Sequence, residues 1–289
     1  RSFLGNITVI GDLPAGYELN LADARGNVTL EGNLHGKLTV DGVGAGIDGT
    51  LLIKGDVDGS IFVNGLDRAQ LPPSVGVVAR DGLQNAINAL VVEGSLLQAA
   101  DIRAEEIGSV TIRKNFSGII STDVSRGNDW TATASGAGAN YRDVEGKIGA
   151  VSIGYDVAGV STGGSIIHGT VQGMSGIGNV KVGGDIYGTP QNQAVFVTTS
   201  NPGAAATEVA RYGVSNIGTI DVRGDVDLDA ENLRLIYING NGSYGNVTVA
   251  GLVTSGTVSG AQTGTKTELV PYSATFVRIL SPFTEDGFT

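Results

Sequence analysis

Gly26-Asn27-Val28-Thr29-Leu30-Glu31-Gly32-Asn33-Leu34 and Gly178-Asn179-Val180-Lys181-Val182-Gly183-Gly184-Asp185-Ile186 are one phrase written twice. In each, apolar residues stand two and four positions after the first glycine, the period-two alternation of a strand with one buried face. Further copies begin at Gly5, Gly36, Gly49, Gly108, Gly149, Gly218 and Gly245. Seven of the nine carry Asp or Asn at the seventh position after the glycine: Asp12, Asn33, Asp56, Asn115, Asp156, Asp185 and Asp225. Glycine usually precedes that residue, as at Gly11, Gly32, Gly55 and Gly184, and an apolar residue usually follows. Gly-Asx after a short strand reads as turn chemistry, because both residue types tolerate left-handed backbone angles. The chain then points inward again, so strand, corner and strand form one coil.

Recurrence of a whole phrase favours stacked coils, in which equivalent residues lie above one another, over the hairpin sandwich or barrel that glycine turns also permit. The expected class is all-β, a parallel β-solenoid with irregular loop insertions. At about 25 residues per coil the chain gives roughly 11 coils and a rod on the order of 55 Å long. Four copies share an extra leading isoleucine, at Ile107, Ile148, Ile177 and Ile217.

Spacings between copies run from 10 to 59 residues, which places loops of unequal length between the rungs. The phrase lapses over about 66–107, where Leu71-Pro72-Pro73 reads as loop and Asn85 to Leu90 as a short helical turn. It lapses again over 119–147, around Trp130, and over 189–216. These three stretches are expected side loops on a solenoid spanning 1–265. The remainder, 266–289, holds Tyr272, Phe276, Phe283 and Phe288 and reads as a cap or the start of a next module.

Composition agrees. Glycine is 46 of 289 residues, about 16% and twice the common usage, while 41% of the chain is hydrophobic, too much for a disordered linker. The net charge is −11, and without a basic cluster nucleic acid and anionic membranes are poor partners. Cysteine is absent, which excludes disulfides and thiolate metal sites. No apolar run reaches the length of a membrane helix. The chain opens Arg1-Ser2-Phe3, without an initiator methionine or a leader, and reads as a piece of something longer.

The run Ile177 to Gly188, IGNVKVGGDIYG, with its relatives at Ile107, Ile148 and Ile217, resembles the glycine-rich strand repeats of large bacterial surface proteins: S-layer proteins, autotransporter passengers and giant adhesins. The resemblance is one of style over most of Gly5 to Ser255. It implies export, a right-handed parallel β-helix, and a role in coats or adhesion.

The residues give enzymes little. Glycosidase chemistry needs two carboxylates across a sugar, and no Asp-Asp pair occurs; Ile167-His168-Gly169 matches only a fragment of the polygalacturonase pattern. His168 and His35 read as ordinary repeat positions, and no Gly-x-Ser-x-Gly elbow between strand and helix supports a hydrolase. The enzyme expectation is therefore negative: no catalytic residue and no organic cofactor is assigned. Calcium is the better chemistry. Asp56 with Asp58, and Asp225 with Asp227 and Asp229, alternate along strands and project carboxylates to one side, where a hard cation would bind. A solvated acidic face is the plain alternative, since the Gly-Gly-x-Gly-x-Asp calcium repeat is missing. Trp130 and Tyr141 are candidate sugar-stacking residues, or anchors of their loop. The outward threonines Thr8, Thr29, Thr39, Thr111 and Thr248 reflect strand propensity rather than an ice-binding rank, because Leu52, Lys181 and Asp221 interrupt them. Asn6, Asn27, Asn115, Asn241 and Asn246 fit the glycosylation acceptor pattern as a by-product of the repeat.

The functional expectation is an extracellular module of a bacterial cell-surface or S-layer-like protein, a rigid rod that pairs with itself or with neighbouring modules. A carbohydrate-binding adhesin is the second reading and a polysaccharide-degrading enzyme the third.

Overall fold

The computed structural model describes residues 2–3, 5–41, 46–64, 86–104, 106–122, 146–173, 176–188, 194–199, 216–228, 234–255, 257–262, 265–266, 277–279 and 281–282. These are all-β, with no helix, and most of the strands stack in parallel in chain order, as successive coils of a solenoid do; two pairings near the C-terminal end are antiparallel.

Three columns of strands build the stack. The first contains Ile7–Val9, Val28–Leu30, Ile47–Ile53, Ile87–Val92, Ile107–Ile112, Lys147–Ile153, Val180–Val182, Ile220–Val222 and Val247–Val249, each in register with the next. The second is a nine-stranded sheet from Glu18–Leu21 to Thr257–Gln262. The third starts as single bridges linking Leu13, Leu34, Val57, Leu96, Phe116 and Ile166, then widens into strands Ile186–Tyr187, Val226–Asp227 and Val253–Ser255. The described residues thus form nine coils, where roughly 11 were expected for the whole chain. At about 4.8 Å per step, nine coils make a stack roughly 40 Å tall.

Inside, like stands on like. Val28, Leu51, Leu90, Val110, Val151, Val180, Ile220 and Val247 form one buried column, and Ile53, Val92, Ile112, Ile153, Val182, Val222 and Val249 another. Phe116 fills the corner column and Phe196 the second sheet, both fully buried. The leading isoleucines are a column too, and it includes Ile47 and Ile87, which the leading-isoleucine pattern did not pick out.

Several expectations are corrected. The copy at Gly36 belongs to the second sheet, as Lys37–Asp41, and its spacing of only 10 residues from Gly26 is too short for a full coil. The stretch read as a helical turn over 85–90 overlaps strand Ile87–Val92, because Leu90 and Val92 pair in register with Leu51 and Ile53. A whole coil, with a second strand Asp101–Ala104, therefore lies inside the stretch read as a loop over 66–107. Strands Ile119–Ser121 and Ala194–Thr199 likewise lie inside the other two loop stretches. The four aromatics named over 266–289 fall outside the described residues.

Candidate functional site

The feature that repeats around this stack is the corner after the first strand, where the Asx residue performs a task its sequence position alone does not reveal. Asp12 Oδ1 accepts the backbone amide of Asn33 at 2.7 Å, Asn33 Oδ1 that of Asp56 at 2.8 Å, and Asp56 Oδ1 that of Ser95 at 2.7 Å. Farther along, Asn115 Oδ1 accepts from Ser165, Ser165 Oγ from Asp185, Asp185 Oδ1 from Asp225 and Asp225 Oδ1 from Leu252, at 2.7–3.0 Å. Each side chain thus reaches forward one coil and satisfies an amide that the corner withdraws from the strand ladder. Such a bond contributes about 0.5–1.5 kcal/mol, and losing it strands a polar group at the corner.

A second ladder runs at the start of the strand. Asn6 Oδ1 accepts from the Asn27 amide at 2.9 Å, Asn27 Oδ1 from Thr50 at 2.9 Å, and Asn179 Oδ1 from the Thr219 amide and hydroxyl, both at 3.1 Å. Asn6, Asn27 and Asn115, read above as glycosylation acceptors, therefore have their side-chain oxygens engaged between coils.

The glycines follow from this. A Cβ built on Gly32 strikes the Asp12 side chain, one on Gly55 strikes Asn33, one on Gly94 strikes Asp56, and those on Gly224 and Gly251 strike Asp185 and Asp225. At the strand start, a Cβ on Gly218 would sit 2.5 Å from Asn179 Oδ1. Glycine is needed because the Asx of the preceding coil occupies the space of its side chain. The left-handed turn chemistry expected from sequence is corrected accordingly: of the corner glycines named above, only Gly11 has positive φ, and the only described non-glycine residue with positive φ is His168. Where the residue beneath is the shorter Ser95, Lys114 takes the glycine's place.

The sixth coil departs from the pattern. Asp156, expected at its corner, instead closes a local turn by accepting the amides of Ala158 and Val160, and the chain makes an excursion before Gly164-Ser165-Ile166 resumes the corner. The excursion exposes Val157 and Val160, and its base borders a shallow cleft of about 170 Å³ lined in part by Val91, Arg113, Tyr155 and Val157. That volume is well below the several hundred Å³ of ordinary ligand sites.

The predicted metal carboxylates fall on these corners. Asp56 and Asp58 flank buried Val57, and Asp225 and Asp227 flank buried Val226, so each pair does project outward. Asp56 and Asp225 each commit one oxygen to the ladder, and Asp58 Oδ1 lies 2.6 Å from His35 Nδ1. Among the described residues no three acidic or histidine side chains gather as a metal set. Asp229, Trp130 and Tyr141 lie outside the described residues. Nearby, the Tyr187 hydroxyl donates to Asp185 Oδ2 at 3.0 Å; that bond and the Asp185 charge push the phenol above its ordinary pKa, with burial, Asp225 and Asp227 adding.

On the outward face the residue after the first strand alternates in sign over four successive coils: Glu31, Lys54, Glu93, Arg113. Lys54 Nζ lies 2.6 Å from Glu31 Oε2, which holds the ammonium above its usual pKa. In the second sheet, the Thr39 hydroxyl and then Lys37 hold Glu18 below the usual carboxylate range. Cross-coil pairing therefore extends from backbone to Asx to surface charge. No helix among the described residues is long and apolar enough to cross a membrane. Comparison of the chain with family models, curated proteins and solved structures returns no match.

Proposed function

We propose that this chain is a non-catalytic structural module of a bacterial cell-surface or S-layer-like protein, exported and used as a stiff rod that pairs with neighbouring modules or subunits. The observation that carries the reading is the pair of Asx ladders. Repeated polar side chains bind coil to coil, and where Ser165 stands in for the Asx the bond still ends on a backbone amide. A chain whose recurring polar residues face its own backbone is organised for stiffness.

The calcium expectation at Asp56, Asp58, Asp225, Asp227 and Asp229 belongs to the same proposal, as a cation that would join outward carboxylates of adjacent rods. Negative-stain electron microscopy with and without millimolar calcium tests both. Ordered sheets or filaments that dissolve on chelation are the expected result. Dispersed particles in both conditions, with binding on a glycan array, would replace this reading with the adhesin.

A further inference from the structure

Gly5 is a glycine without a reason inside the chain. A Cβ built there meets nothing within 4 Å, and its φ is not positive. Its counterparts one coil and two coils on, Gly26 and Gly49, are glycines because the preceding coil fills the space: a Cβ on Gly26 would lie 2.5 Å from the Gly5 carbonyl oxygen and 2.7 Å from Asn6 Oδ1, and one on Gly49 strikes Asn27 Oδ1. The first coil is thus shaped for a coil beneath it that no described residue supplies.

The backbone says the same. In the second coil the amides of Asn27, Glu31 and Asn33 donate to Asn6 Oδ1, the Val9 carbonyl and Asp12 Oδ1. Their first-coil counterparts are the amides of Asn6, Ile10 and Asp12, and no described residue offers these an acceptor. Ile10 is 90% exposed, at the column position that Glu31, Lys54, Glu93 and Arg113 occupy farther along. An apolar residue there suits contact with a coil below better than contact with water.

The opposite end is built differently. Leu252 replaces the Asx of the corner, so the last corner offers no side-chain acceptor to a following coil, and strand Val277–Ile279 pairs antiparallel with Val247–Val249 along the edge where a parallel coil would add. Among the described residues, the tail of a second copy therefore lacks what the head requires.

We propose that the N-terminal edge of the stack is a seat for one further parallel coil that carries Asn or Asp at both ladder positions, beneath Gly5 and Gly11, and that donor is a segment other than the tail of this same chain. The proposal rests on stacking geometry and stands independently of the surface-coat reading.

The probe is the chain itself extended by one coil, with a second copy of residues 26–48 placed ahead of Gly5 in place of residues 1–4. The added coil then lies beneath Gly5 as residues 26–48 lie beneath Gly49. Hydrogen exchange at the Asn6, Ile10 and Asp12 amides is expected to slow at least about tenfold in the extended chain, and Gly5→Ala is expected to abolish the gain. In the unextended chain Gly5→Ala is expected to leave the thermal midpoint unchanged, whereas Gly26→Ala lowers it by roughly 5 °C or more. The proposal is overturned if the extended chain folds without that protection, or if Gly5→Ala destabilises the unextended chain as Gly26→Ala does. It is equally overturned if sedimentation shows the unextended chain self-associating with those amides already protected, since a second copy then closes the edge.

Discussion

The corner at Asn33 and Asp56 and the corner at Asp156 to Ile166 carry similar sequence and behave differently. In the first, Asx, glycine and apolar residue follow the strand directly, and the Asn33 side chain holds the next coil. In the second, the Asx turns back on Ala158 and Val160, and Ser165, nine residues later, completes the ladder between Asn115 and Asp185. The stack therefore requires an acceptor at a place in space and room above it. It does not require that acceptor at a set distance along the chain.

The largest expected effect comes from filling that room. Gly55→Ala drives a Cβ into Asn33 and the Gly32 backbone and is expected to cost about 2–4 kcal/mol by chemical denaturation. Gly159→Ala, in the excursion, meets open space and bears only the strain of its φ of 80°, about 1 kcal/mol. Equal losses at the two sites would erase the distinction between them.

A double-mutant cycle sharpens it. Ser95→Asn places an Asx beneath Lys114 and is expected to destabilise, while Lys114→Gly in the same chain restores stability, with a coupling of about 1–2 kcal/mol. Additive single effects would show that glycine and Asx are not linked. Next in size, Asp225→Ala is expected to cost about 1 kcal/mol and Asp225→Asn, which keeps the acceptor oxygen, much less.

Smaller still is the expected effect of Val157→Ser and Val160→Ser, both exposed on the excursion. Denaturation should shift by less than about 0.5 kcal/mol, as for other surface changes; a loss of several would make the excursion part of the core. The least effect belongs to the surface pairs. Because the pKa of Glu18 is depressed in the fold, its contribution is present above the unfolded value of 4.5 and fades as pH falls through the folded value. Lys54 is raised, so its contribution is complete below 10.5 and fades above the folded value. Glu18→Gln should flatten the acid limb slightly and leave the neutral plateau in place.

The buried columns were legible because two-residue alternation states burial directly: Val28 and Leu30, or Val180 and Val182, need no partner to be recognised. The coil at Ile87 was not, since Asn88 and Ser95 replace the usual glycine and Asx; aligning Leu90-Val91-Val92-Glu93-Gly94-Ser95-Leu96 to the apolar positions alone would have found it. The corner residues were visible as a pattern, but their cause was not, because the contact that explains Gly55 comes from Asn33, a coil away. For the same reason, a residue's offset from its own strand could not show that Ser165 replaces Asp156.

The central claim is that each corner Asx secures the coil after its own, and hydrogen exchange at single amides tests it most directly. With Asp225→Ala the Leu252 amide should exchange at least about fivefold faster, while the Asn33 and Asp56 amides keep their protection and Asp225→Asn restores that of Leu252. Unchanged exchange at Leu252, or loss spread evenly over all corners, would contradict the account.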